Sequence, residues 1–259
     1  MHKRQVLGIG VCLAVLGLLF AGPVATQEEE GTIGLVYFVR AKPGMEAQFE
    51  EGTKKHMEWH RQQNDTWTWG AWVTMTGENT GRYAFGSFGH HWADFDNPGV
   101  SEEEDEANLQ ATMAPYAESA VARYYAYLPQ VSHPAPEGES FPLSIVLVFE
   151  LRVGTEGKFI NNITKVHKAI EKTNWPGYHA WYVLVNGGRQ PMFVLVLPQK
   201  NWADMAPEEK PFDAMLEEAF GKQEAESILK AFNHTIKSET SSIVRDRLDL
   251  SYIPEATTE

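Results

Sequence analysis

The strongest constraint on this 259-residue chain is that it writes one order of signals twice, about 110 residues apart. An apolar run opens each stretch, at 33–39 and at 144–151, and a glycine turn follows, Lys42-Pro43-Gly44 and Val153-Gly154. Hydrophobic periodicity predicts amphipathic helices over 45–63 and 156–173. Paired strand-like runs come next, 68–76 with 82–88 and 178–185 with 192–197, each pair split by a glycine-containing turn. Trp92-Ala93-Asp94 and Trp202-Ala203-Asp204 then match, and a second helical region and a closing strand (124–132, 243–251) end each stretch. The order is β-α-β-β-α-β twice, an α+β fold of two tandem ferredoxin-like repeats. Helices in that plan cover one sheet face only. Opening runs that are apolar throughout need cover on the other face as well, and two repeats packed sheet to sheet supply it as an intramolecular barrel. The first repeat spans 32–132 and the second 143–254. The Pro/Gly-rich segment 133–142 reads as the linker between them.

The first 25 residues read differently. His2, Lys3 and Arg4 precede an apolar run over 6–20, small residues follow up to Ala25, and the chain then turns acidic at Glu28-Glu29-Glu30. This is the order of a secretory signal peptide, with an uncleaved membrane anchor as the rival reading. The expected address is export, periplasmic or secreted, with no stable membrane association after cleavage. Cys12 is the single cysteine and lies inside that run, so a disulfide scaffold, a thiolate zinc site and an iron–sulfur cluster are excluded. The chain carries 22 Lys+Arg against 35 Asp+Glu, a formal charge of −13, and loss of Lys3 and Arg4 with the signal makes this −15. That balance excludes nucleic acid as a partner, because backbone recognition needs a basic footprint. The run Glu102–Glu106 after Ser101 reads as a capped, solvated helix start.

A doubled pattern provides an internal comparison. On the helix over 156–173, Phe159, Ile163, Val166 and Ile170 form one apolar stripe. On the helix over 45–63, Met45, Phe49, Thr53, His56 and His60 occupy the corresponding face, so His56 stands where Val166 stands and His60 where Ile170 stands. A register shifted by one residue pairs His56 with His167 instead. Imidazoles at i and i+4 sit one turn apart and can converge on one ligand or metal. The first repeat also holds five of the eight tryptophans, Trp67 and Trp69 among them, together with His90 and His91. Trp72 and Trp181 hold similar places in the second strands and read as core. Asn64-Asp65-Thr66, Asn162-Ile163-Thr164 and Asn233-His234-Thr235 fit the glycosylation sequon, a match expected by chance.

Val39-Arg40-Ala41-Lys42-Pro43-Gly44-Met45-Glu46-Ala47-Gln48-Phe49, the paired Trp-Ala-Asp segments and Leu248-Asp249-Leu250-Ser251-Tyr252 resemble the dimeric α/β-barrel superfamily. It includes antibiotic-biosynthesis-type monooxygenases, haem-degrading monooxygenases and stress-response barrels. The resemblance covers nearly the whole chain after the signal and implies architecture far more than activity. Three readings stay open. In the first, the protein is an exported small-molecule binder or a cofactor-independent, monooxygenase-like oxidoreductase. Its pocket in the first repeat is lined by Trp67, Trp69, His90 and His91 for a small aromatic or apolar ligand, and His56 and His60 act as general bases. In the second, a metal on His56, His60 and His91, or a haem, occupies the site. No cofactor is favoured, and the Asn that haem-degrading relatives use on the first strand is missing from 33–39. In the third, the chain is a non-catalytic assembly module, with Tyr124, Tyr125 and Tyr127 at an oligomer edge. In all three the second repeat is scaffold.

Overall fold

The computed structural model describes residues 31–136 and 138–255; the signal reading at 1–25 lies outside them. Eight strands form one closed antiparallel barrel with five α-helices outside it. The strands are β1 (Ile33–Ala41), β2 (Gly70–Thr74), β3 (Tyr83–His90), β4 (Ala117–Tyr127), β5 (Leu143–Leu151), β6 (Ala180–Asn186), β7 (Met192–Gln199) and β8 (Ile236–Asp246). Around the barrel they run β1-β3-β2-β8-β5-β7-β6-β4. Each half therefore places its four strands in the same order, β4-β1-β3-β2 and β8-β5-β7-β6. The halves meet edge to edge, where Trp72–Thr74 pairs with Val244–Asp246 and Tyr124–Tyr127 pairs with β6. Sequence periodicity required cover for the inner sheet faces, and the structure supplies it by closing the sheet on itself, which also leaves no free edge.

Alternation along β1 shows how the faces are used. Val36 and Phe38 point into the barrel, where they meet Tyr125, Leu184, Tyr182 and Val194 from both halves. Leu35, Tyr37, Val39 and Ala41 point outward, beneath helices α1 (Glu46–Gln62) and α2 (Glu102–Thr112). In the second half, α3 (Glu156–Thr173), α4 (Phe212–Phe220) and α5 (Lys222–Thr235) cover the sheet, with α4 and α5 breaking at Gly221. Phe49 on α1 and Phe159 on α3 are both fully buried, each in the core under its own half. No helix among the described residues is long and apolar enough to cross a membrane.

Three details depart from the sequence reading. Both closing strands begin seven residues earlier, at Ala117 and Ile236, because residues 118–122 and 237–241 are exposed and Val121 is the one large apolar side chain among them. Trp72 and Trp181 are not equivalent: Trp72 pairs with Ala84 on the barrel-facing register, whereas Trp181 packs outward against Phe149 and Phe159. One residue of slip changes the face, and Ala71, not Trp72, sits outward in the first half. Asn162 of the second sequon is buried.

Candidate functional site

The helix α1 has its apolar face interrupted by two imidazoles. His56 and His60 are one turn apart and almost completely buried, at 4% and 2% exposure. On their outer side lies α2, which is capped by the Ser101 hydroxyl accepting from the Glu104 amide. α2 approaches closely because α1 carries Gly52: a Cβ there would lie 2.1 Å from the Thr112 carbonyl oxygen. This contact places Asp105 and Asn108, three residues apart on one face of α2, over the two histidines.

Asn108 Oδ1 accepts from His56 Nδ1 at 2.9 Å, which leaves the lone pair on Nε2. That Nε2 faces Asp105 Oδ1 at 3.4 Å, and His60 Nε2 faces the same oxygen at 3.5 Å. His60 Nδ1 lies 2.8 Å from Asp65 Oδ2, outside hydrogen-bond alignment. Asp65 is itself 2% exposed and tightly held. Its carboxylate accepts from the Trp67 amide at 2.9 Å and the Trp69 indole at 3.2 Å, and its carbonyl accepts from the Tyr252 hydroxyl at 2.7 Å. Asp105 Oδ1 is buried and has no hydrogen-bond donor.

Burial pushes the His56 pKa down, against the Asn108 hydrogen bond. Burial likewise pushes Asp105 up, against the two histidines. Burial alone would raise Asp65 as well, but His60 and the Trp67 and Trp69 donors outweigh it and hold that carboxyl below its ordinary range. Both His56 and Asp105 are thus biased toward their neutral forms, while Asp65 stays ionised.

The cluster forms the polar end of a cavity of about 560 Å³ between α1, α2 and the outer face of the first-half sheet. Tyr37, Trp67, Trp69, Phe95 and Tyr124 supply aromatic wall. Five carboxylates line it (Asp65, Glu102, Asp105, Glu106, Glu118), and no Lys or Arg does.

Of the residues expected from sequence, His56, His60, Trp67 and Trp69 come together in this cavity. His90 does not line it. Its ring stacks on Trp67 at 3.9 Å between centroids, from behind, and its Nε2 bonds Ser87 Oγ at 2.7 Å. His91 is exposed, its amide donating to Asp94 at 2.7 Å, so it neither lines the pocket nor completes a metal triad. The third member is Asp105. The sequence reading placed it in a solvated acidic run; the signal for it is that Asp105, Asn108, Leu109 and Thr112 fall on one helical face.

Among the described residues, His56, His60 and Asp105 are the one group able to offer three metal-binding atoms, all within 4.8 Å of one another. A haem does not fit this cavity. Asp105 Oδ1 stands where an axial iron would have to meet either Nε2, and no basic side chain is present for the propionates. The second half has its own cavity of about 910 Å³ in the corresponding position, with Val166 and Ile170 in its wall and His167 beside His179. A description of that half as scaffold leaves this space unaccounted for.

No protein-family model and no curated protein matches the sequence. Solved structures match in fold. A monooxygenase-like protein of Lactobacillus acidophilus NCFM superposes with a TM-score of 0.55 at 9% identity, over 87% of this chain and 97% of its own. A second monooxygenase-like protein, from Fusobacterium nucleatum, gives 0.53 at 12% identity over 83% and 92%. A chlorite dismutase variant from Candidatus Nitrospira defluvii in complex with cyanide gives 0.52 at 9% identity over 86% and 93%. The chain thus has the ferredoxin-type α/β architecture that these monooxygenase-like and chlorite dismutase structures share.

Proposed function

We propose that the first-half cavity binds a small, flat, uncharged aromatic molecule with its polar edge toward His56, His60 and Asp105, and that the protein is an oxidoreductase of monooxygenase type acting on it. The observation that carries the reading is the division of the cavity into an aromatic wall and one buried His/His/Asp end. A volume of about 560 Å³ suits a ligand of two or three fused rings. Five lining carboxylates repel an anionic ligand, so a phenol fits and a benzoate does not. A neutral His56 is in the right state to accept a proton from a phenolic hydroxyl. The shared fold with monooxygenase-like proteins supports oxidation as the reaction. We further read the two halves as copies of one unit, on the common strand order and the 110-residue spacing, and the protein as exported, on residues 2–25.

Calorimetric titration with 2-naphthol and 2-naphthoate tests the pocket. Naphthol is expected to bind and naphthoate not; binding of neither, or of naphthoate alone, refutes the reading.

A further inference from the structure

We propose that His56 Nε2, His60 Nε2 and Asp105 Oδ1 together bind one divalent first-row transition-metal ion whose remaining coordination positions open into the aromatic cavity.

Three independent features support a cation here. The first is a conflict of acceptors. With His56 Nδ1 donating to Asn108, its Nε2 presents a lone pair to a carboxylate oxygen 3.4 Å away. His60 Nε2 looks at that same oxygen from 3.5 Å. Asp105 Oδ1 is buried and receives no hydrogen bond. A buried acceptor left unmet costs free energy, and a cation at the centre of the three atoms meets them all.

The second feature is the surrounding support. Ligating histidines normally have their other ring nitrogen held by a carboxylate or amide, which fixes ring orientation. Asn108 does this for His56, and Asp65 faces His60 Nδ1 at 2.8 Å. Asp65 is in turn fixed by Trp67, Trp69 and Tyr252. A merely solvated helix pair has no need of so much fixed geometry behind two imidazoles.

The third is charge and comparison. The cavity carries five carboxylates without a basic side chain. In the second half the corresponding helix positions are Val166 and Ile170; His167 and His179 meet there, but among the described residues no carboxylate joins them in a three-ligand group, and Lys200 lines that cavity. Two imidazoles and one carboxylate on one side of an ion, with open positions opposite, are the ligand set of non-haem iron(II) oxygenases. A hydroxylated aromatic ligand would then reach the ion through its oxygen.

The inference deepens the aromatic-pocket reading, although ion binding does not depend on it; with an ion bound, His56 Nε2 is a ligand, and the ion in place of that imidazole would acidify the phenolic hydroxyl. The test titrates the chelator-treated protein with cobalt(II), reading d–d absorbance and melting temperature. One equivalent is expected to bind with a rise in melting temperature. Asp105→Asn and His60→Gln should each weaken binding by more than about a hundredfold, and Asp65→Asn by about ten- to a hundredfold. His90→Gln, an imidazole of the same half outside the cluster, should leave it unchanged. Circular dichroism establishes that each variant is folded, and where His60→Gln is not, Asp105→Asn on the half-exposed helix carries the test. No uptake by the wild type, uptake unchanged in folded Asp105→Asn, or equal loss in His90→Gln overturns the proposal. The 2-naphthol titration on metal-free protein separates the two claims. Naphthol binding without cobalt uptake defeats the metal site alone; cobalt uptake without naphthol binding defeats the aromatic pocket alone.

Discussion

Asp65 takes the Trp67 amide and the Trp69 indole on the carboxylate that also faces His60, while its own carbonyl holds Tyr252. One residue thus links the end of α1 and the cavity wall through its side chain, and the C-terminal segment through its main-chain carbonyl. The loop after the 3₁₀ turn at Trp92–Asp96 closes over it: a Cβ on Gly99 would lie 2.1 Å from Asp65 Oδ1. Asp65→Asn keeps the shape but removes the charge and turns one acceptor into a donor facing other donors. A loss of about 1–3 kcal/mol in urea unfolding is expected. Gly99→Ala should cost a similar amount by displacing the carboxylate, and a Gly99→Ala variant as stable as the wild type would show that the loop yields instead. His56 and His60 were legible from sequence because an aliphatic face in one half had turned polar in the other. Asp65 was not, since a single Asp in a sequon-like triplet has no partner visible in one dimension.

At the level of elements, α2 is the least self-sufficient helix. It has no buried residue, and Leu109 is its one side chain packed on the first-half core. Local signals (the Ser101 cap and acids on the first turn) explain why it forms. They do not explain where it sits. Position comes from Gly52 on α1, from the Asp105 and Asn108 contacts with the histidines, and from Leu109. Gly52→Ala should drive α2 away from α1, costing about 1–3 kcal/mol through backbone overpacking, and should weaken cobalt uptake although the residue touches no ligand atom. Denaturant unfolding and the cobalt titration check both parts; a variant with wild-type stability would place α2 under other control. The helix boundaries of α1 and α3 followed from periodicity. The starts of β4 and β8 did not, because exposed Ala/Ser/Glu/Thr stretches are held by pairing with β1 and β5, not by their own apolar content.

For the whole molecule, closure joins the halves at two seams, and the β2–β8 seam rests on three residue pairs. One of them is Trp72 with Asp246, a carboxyl that burial raises to about 6, against the Trp72 hydrogen bond. At the other side of the second half, His179 pairs with His133, which lies between β4 and β5, and burial, with His167 nearby, lowers it to about 4. The two act in opposite senses over one pH window. Folded Asp246 keeps its proton up to about 6 while the unfolded chain releases it near 3.8, so its contribution to stability falls as pH rises between those values. Unfolded His179 holds a proton up to 6.5 while the folded ring has lost it by about 4, so its contribution rises with pH across nearly the same range. In the wild type these slopes offset each other; single variants expose them. Asp246→Asn should match the wild type at pH 4 and become progressively more stable than it up to pH 7. His179→Gln should gain on the wild type as pH falls from 7 to 4. The check is the urea midpoint of both variants and the wild type at pH 4, 5, 6 and 7. A difference between Asp246→Asn and wild type that stays flat across the series would mean that the seam leaves Asp246 in water, and that closure at β2–β8 is looser than the pairing of Trp72 with Asp246 requires.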